Sequence, residues 1–257
     1  MFDYHLKSLS PQGWQPCTRE LFDRIVALPE VLRTCDELSD LAVQRYYSGQ
    51  ISAKEYAERK SKLKKRLPAF AFHAHFPDGR RKNKGAIPSG LALVDIDGCD
   101  HPQRLWERIK EPLFELTGEV LLAHKTPSGR GLRLVMRLSD ALRRQHSPEA
   151  AIACTQQHVR EWLTDELGKD PGVDMACKDL ARISFAVPES YIYYRDDRLF
   201  ESEELRVKSP CRLWAIACGG AMGSEGETAG LGSCRRRRGT ARGYVELAPT
   251  RRWALSL

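Results

Sequence analysis

The segment Leu91-Ala92-Leu93-Val94-Asp95-Ile96-Asp97 constrains the fold more than any other part of the chain. An apolar run ending in an Asp-x-Asp pair, with Ser89-Gly90 before it and Gly98 after it, predicts a buried strand over residues 91–96. Residues i and i+2 of a strand point to one face. Asp95 and Asp97 therefore emerge together, while Val94 and Ile96 face a core. Two carboxylates this close repel one another unless a cation lies between them. A hard divalent ion such as Mg²⁺ takes oxygen ligands and leaves much of its shell to water and substrate phosphates. A plainer reading stands beside this one: one aspartate caps the following helix and the other faces solvent.

The pattern around that strand predicts an α+β chain. Residues 1–66 read as mainly helical. Helical spacing of apolar residues covers 18–33, with Pro29 starting a new turn or a break, and a second helix spans 35–47. Ser52-Ala53-Lys54-Glu55 is a capping-box pattern that opens a third, lysine-rich helix containing Lys64 and Lys65. Residues 69–76 are strand-like, and a basic loop with Arg80, Arg81 and Lys82 follows. A helix is expected over 102–116, with Pro112 as an interruption. Strands at 120–124 and 132–138 flank the turn Pro127-Ser128-Gly129-Arg130-Gly131. An amphipathic helix over 148–167 ends at Gly168, and strands at 183–187 and 191–194 close the ordered part.

Composition excludes several classes. Hydrophobic residues make up 42% and charged residues 29%, which suits a soluble globular protein and not wholesale disorder. No apolar run approaches bilayer length, and the N-terminus lacks the basic-then-apolar layout of a secretory signal, so a cytoplasmic protein without a membrane partner is expected. The eight cysteines contain no C-x-x-C pair, which argues against a structural zinc site. The net charge of +7 is confined to one end. Residues 206–257 hold 10 of the 41 Lys and Arg but 3 of the 34 Asp and Glu, so the first 205 residues are neutral. That Gly-, Ala- and Arg-rich tail reads as disordered. The divisions expected are a helical lobe over 1–50, a central domain over 51–205 and the tail over 206–257.

Two further features accompany the acidic pair. Glycines in Ser128-Gly129-Arg130-Gly131 permit close backbone approach to a phosphate, and Arg133 lies just beyond that turn. Taken alone, the segment reads better as an ordinary hairpin turn, with Arg130 a solvated charge. Asp174, after Asp170-Pro171-Gly172-Val173, either completes a carboxylate trio or caps a short turn before Arg182.

In this order, the three features resemble the motifs of the archaeo-eukaryotic primase superfamily. The chain is most similar to the primase-polymerase-like N-terminal domain of virulence-associated E (VirE) type proteins of bacterial mobile elements. The similarity spans roughly residues 50–195 and includes Leu63 to Ala69, Ser89-Gly90-Leu91 and Asp174 followed by Asp179-Leu180-Ala181-Arg182. It implies an RRM-like primase-polymerase sheet with flanking helices. Asp95, Asp97 and Asp174 would be the catalytic residues, holding two Mg²⁺ or Mn²⁺ ions. Ser128, Gly129, Gly131, Arg133 and Arg182 would contact the nucleoside triphosphate. Lys64, Lys65, Arg80, Arg81 and Lys82 would contact a single-stranded nucleic-acid template. The implied reaction is nucleotidyl transfer, in which a 3′-hydroxyl attacks the α-phosphorus and pyrophosphate leaves, with a separate helicase as a further partner. Arg133 stands where that family carries a histidine, and an arginine holds phosphate but does not shuttle protons.

Two other readings compete. One is a catalytically weak nucleic-acid-binding module on the same fold. The other is a haloacid-dehalogenase-type phosphatase with Asp95 as nucleophile and Asp97 as acid/base, which requires alternating strands and helices after residue 97.

Overall fold

The computed structural model describes residues 1–117 and 119–201. The basic tail over 206–257 lies outside them. The chain begins with β1 (Asp3–His5), β2 (Gln15–Pro16), α1 (Arg19–Val26), α2 (Pro29–Tyr46) and α3 (Ala53–Lys64). Then come β3 (Ala69–Ala71), β4 (Ala74–His75), β5 (Ile87–Pro88) and β6 (Leu91–Asp97), the acidic strand. After it lie α4 (Pro102–Thr117), β7 (Val120–Lys125), β8 (Gly131–Arg137), α5 (Asp140–Gln145) and α6 (Pro148–Leu167). The last strands are β9 (Ser184–Phe185) and β10 (Ile192–Arg195).

The fold is mixed α+β, and its three sheets are antiparallel, in the orders β2-β1-β3-β9, β10-β7-β8-β6 and β4-β5. The β7–β8 hairpin breaks the strand–helix alternation that the phosphatase reading needs.

Both faces of the sheet containing β6 are buried. Val94, Ile96, Leu132, Leu134 and Met136 pack on Trp106, Ile109 and Leu113 of α4 and on Val159 and Leu163 of α6. The alternate residues Leu91, Leu93, Leu122 and Val135 pack on Phe22, Ile25 and Val26 of α1 and on Val31, Cys35 and Leu38 of α2. The helices expected as a separate lobe thus form one wall of the sheet's own core. Each fully buried side chain of this size contributes roughly 1.5–3 kcal/mol. A slip of one residue in β6 would drive Asp95 into the α4/α6 core, so packing fixes the register.

Some expectations differ from the fold in instructive ways. Residues 1–17 contain β1 and β2, because β1 finds its partner in β3, more than sixty residues on. Pro29 occupies the first position of α2, where its missing N–H costs nothing, and α2 then runs unbroken through Cys35. The capping box holds: Ser52 Oγ accepts from the Glu55 N–H at 3.1 Å. Pro112 lies within α4 without ending it. Helix α5, capped by Ser139, was not anticipated. Among the described residues no helix is long and apolar enough to cross a membrane.

Candidate nucleotide and metal site

Strand β6 is the edge of its sheet, so its outward N–H and C=O groups need partners beyond β8. Side chains supply the first of them. The Leu93 N–H donates to His73 Nε2 at 2.9 Å, and the Leu93 carbonyl accepts from Gln156 Nε2 at 2.9 Å. Backbone supplies the rest. The Asp174 N–H donates to the Asp95 carbonyl at 2.8 Å, and the Asp97 N–H donates to the Gly172 carbonyl at 3.0 Å. Ile96 and Val173 form an antiparallel bridge between those two bonds. Their side chains share the core side, which leaves Asp95, Asp97 and Asp174 on the opposite face. A Cβ on Gly172 would lie 2.7 Å from the Asp97 carbonyl oxygen, so the close approach requires glycine there.

The same two side chains hold the segment after Asp174. His73 accepts at Nε2, so its proton sits on Nδ1, which donates to the Asp179 carbonyl at 2.9 Å. Burial pushes His73 down to about 4, in keeping with a neutral ring. Gln156 Nε2 also donates to the Cys177 carbonyl at 2.9 Å.

Asp95 is opposite Arg133 in the β6–β8 register, and both are buried. The Arg133 guanidinium donates to Asp95 Oδ2 and, at 3.0 Å, to Ser184 Oγ. Burial alone would lower Arg133, but the charge and hydrogen bond of Asp95 outweigh it and raise its pKa. Asp95 Oδ1 is buried with no hydrogen-bond partner. Desolvation and the Asp95 charge push the Asp97 carboxyl upward. Asp174 goes the other way: desolvation raises it, but hydrogen bonds from Cys177 and the Ala176 N–H, with the Arg182 charge, lower it overall. Its Oδ2 accepts from Arg182 at 3.1 Å.

These groups line a cavity of about 550 Å³. Lys60 and Lys64 of α3, Arg81, Arg133 and Arg182 supply positive charge, and Thr126 to Ser128 form one wall. Burial, with Lys60 and Arg133 nearby, pushes Lys64 down to about 8. Gly131 shapes the wall, since a Cβ there would lie 2.7 Å from the Ile96 carbonyl oxygen. Gly129, at φ 74°, turns the chain in a left-handed conformation.

Of the residues expected to act, Asp95, Asp97, Asp174, Ser128, Arg133, Arg182, Lys64 and Arg81 meet in this cavity. Lys65, Arg80 and Lys82 do not line it; the first two are exposed, and Lys82 pairs with Asp78 at 2.7 Å. Lys60, Asn83 and Asp179 line it without having been anticipated. Lys60 had a usable signal, because it lies one turn before Lys64 on the same helix face.

The donor set fits a hard cation in part. Asp95 Oδ1 is an unpartnered buried carboxylate oxygen, and Asp97 lies beside it on the same face. Mg²⁺ needs only one or two carboxylates when phosphates complete its shell. Among the described residues, however, no three His, Cys, Asp or Glu side chains are gathered as a metal cluster.

A family model described as the BT4734-like N-terminal domain matches residues 62–194, just over half of the chain. The chain belongs to that family. No curated protein and no solved structure matches it. The BT4734-like domain contains the whole of β6, the turn at 127–131, and Asp174 with Arg182. Lys60 and α1–α2, which complete the cavity and its supporting core, lie before it.

Proposed function

We propose that this chain is a primase-polymerase-type nucleotidyltransferase of the VirE N-terminal kind, joining nucleotides on a single-stranded template with Mg²⁺ or Mn²⁺. One observation carries the reading: three carboxylates share one face of a single cavity whose walls also hold five cationic side chains. Membership of the BT4734-like family, which is associated with primase-polymerase and VirE-like proteins, supports it.

Lys60, Lys64 and Arg81 bind the triphosphate oxygens as cationic donors. The Thr126–Ser128 wall orients the nucleotide beside them. Asp95 and Asp97 would hold the divalent cation, with Asp174 on the same face of the cavity, and such a cation would supply charge neutralisation for the triphosphate and activation of the attacking hydroxyl. His73 and Gln156 hold Asp174 and Arg182 at their distance from the acidic strand.

The test is extension of a labelled primer on a single-stranded template with Mg²⁺ or Mn²⁺, for the wild type and an Asp95→Ala/Asp97→Ala variant. The reading predicts products from the wild type alone. A second reading, a binding module without turnover, is favoured by one contact: Arg133 already neutralises Asp95. Metal-independent strand binding without products would select it.

A further inference from the structure

A line of cations and aromatic rings leads out of the cavity. Inside, Lys64 Nζ lies 5.2 Å from the centre of the Phe185 ring. One turn earlier on α3, Lys60 Nζ lies 5.3 Å from the Tyr56 ring, which packs edge-on against Tyr46 of α2 with centres 5.4 Å apart. The guanidinium of Arg130, from the turn that forms the cavity wall, then sits 4.0 Å from the Tyr46 ring centre and 5.6 Å from that of Tyr47.

Part of this arrangement is a staple. Arg130 pairs with Asp100 and donates to the Tyr47 hydroxyl at 3.1 Å, and that hydroxyl donates to Asp100 at 2.9 Å. The staple occupies the polar atoms and lays the Arg130 guanidinium against each ring, but it does not cover the rings. Tyr46 and Tyr47 remain 52% and 61% exposed, at the outer end of a track that begins in the cavity. Helix α3 beside them carries Lys54, Arg59, Lys60, Lys62 and Lys64 against Glu55 and Glu58, an excess of positive charge suited to a polyanion. Exposed rings with cations between them are what an unpaired strand requires: faces on which bases stack and charges that follow its phosphates.

We infer that Tyr46, Tyr47 and Arg130 form a stacking platform that receives a single strand of nucleic acid and guides it past Lys60 into the cavity. The inference rests on the proposed function only in taking that strand to be the template.

Fluorescence anisotropy with labelled oligomers of dT and of U, about 12 nucleotides long, tests it. Measurements are made in EDTA without nucleotide, so the cavity's cation plays no part. Each of Tyr46→Leu and Tyr47→Leu is expected to weaken binding about tenfold, while Tyr47→Phe keeps it, because stacking needs the ring and not the hydroxyl. Unfolding profiles matched to the wild type confirm that each variant is folded. The inference is overturned if neither oligomer binds, or if the Tyr46→Leu/Tyr47→Leu double variant binds as the wild type does. Equal losses for Tyr47→Phe and Tyr47→Leu also overturn it. Failure here leaves metal-dependent nucleotide binding standing. Failure of nucleotide binding leaves the strand result standing.

Discussion

Asp95 and Arg133 face each other across the β6–β8 ladder, and the guanidinium that neutralises Asp95 Oδ2 leaves Oδ1 buried without a partner. Removing one member of a buried pair strands the other's charge, at about 3–5 kcal/mol. Arg133→Met is therefore expected to lower stability by that order in EDTA. Divalent cation should recover part of the loss, since ligand bound only to the folded state adds stability by mass action. Urea unfolding with EDTA and with Mn²⁺ checks this. Equal losses in both conditions would show that no cation reaches Asp95.

Gly172 and Gly98 offer a controlled comparison. Both have positive φ, at 78° and 71°, but a Cβ on Gly172 meets the Asp97 carbonyl at 2.7 Å whereas one on Gly98 meets nothing within 4 Å. Gly98→Ala carries backbone strain alone, about 1 kcal/mol. Gly172→Ala also parts the Asp97–Gly172 pairing that sets Asp174 beside Asp95, and is expected to cost at least twice as much. Chemical denaturation of the two variants side by side decides it; equal costs would contradict the pairing.

His73 predicts acid sensitivity. Its folded pKa is about 4 against an ordinary 6.5, so below 6.5 the unfolded chain binds a proton that the folded chain refuses. Stability is then level above pH 6.5 and falls between 6.5 and 4, by up to about 1.4 kcal/mol per pH unit. His124, buried and also pushed down to about 4, adds the same dependence. His73→Gln should be less stable at neutral pH yet show about half the acid slope. Unfolding midpoints measured across that range test it, and an unchanged slope would refute the assignment.

Lys64 predicts the opposite limb for ligand affinity. With its pKa near 8, it is charged at neutral pH and loses its charge as pH rises through that value. Affinity for a nucleoside triphosphate should fall roughly three- to tenfold between pH 7 and 9. Lys64→Arg should flatten the profile. Titration calorimetry at several pH values reads this, and a flat wild-type profile would exclude Lys64 from phosphate contact.

Much of the site was legible because period-two alternation alone puts Asp95 and Asp97 on one face with Val94 and Ile96 opposite. The order of the later motifs, Ser128 to Arg133 and then Asp174, was also readable. What brings Asp174 to Asp95 was not, because it depends on a backbone pairing across nearly eighty residues. His73 and Gln156 were invisible for the same reason: they bond Leu93 from 20 and 63 residues away, and neither carries a local pattern. The place of Arg133 after the turn suggests a phosphate ligand; its bond to Asp95 follows from strand register, which hydrophobic spacing alone does not supply. Arg130, which the sequence shows only as part of a hairpin turn, is held between two tyrosines and Asp100 by contacts between distant segments.

The proposed function requires that this cavity bind a nucleoside triphosphate through a divalent cation on Asp95 and Asp97. Titration of a nucleoside triphosphate into the wild type and into Asp95→Asn/Asp97→Asn, each with Mn²⁺ and with EDTA, tests it most directly. Saturable binding by the wild type with Mn²⁺ is expected, weakened at least tenfold by EDTA or by the double substitution. Equal affinity in all four titrations, or none in any, would contradict it.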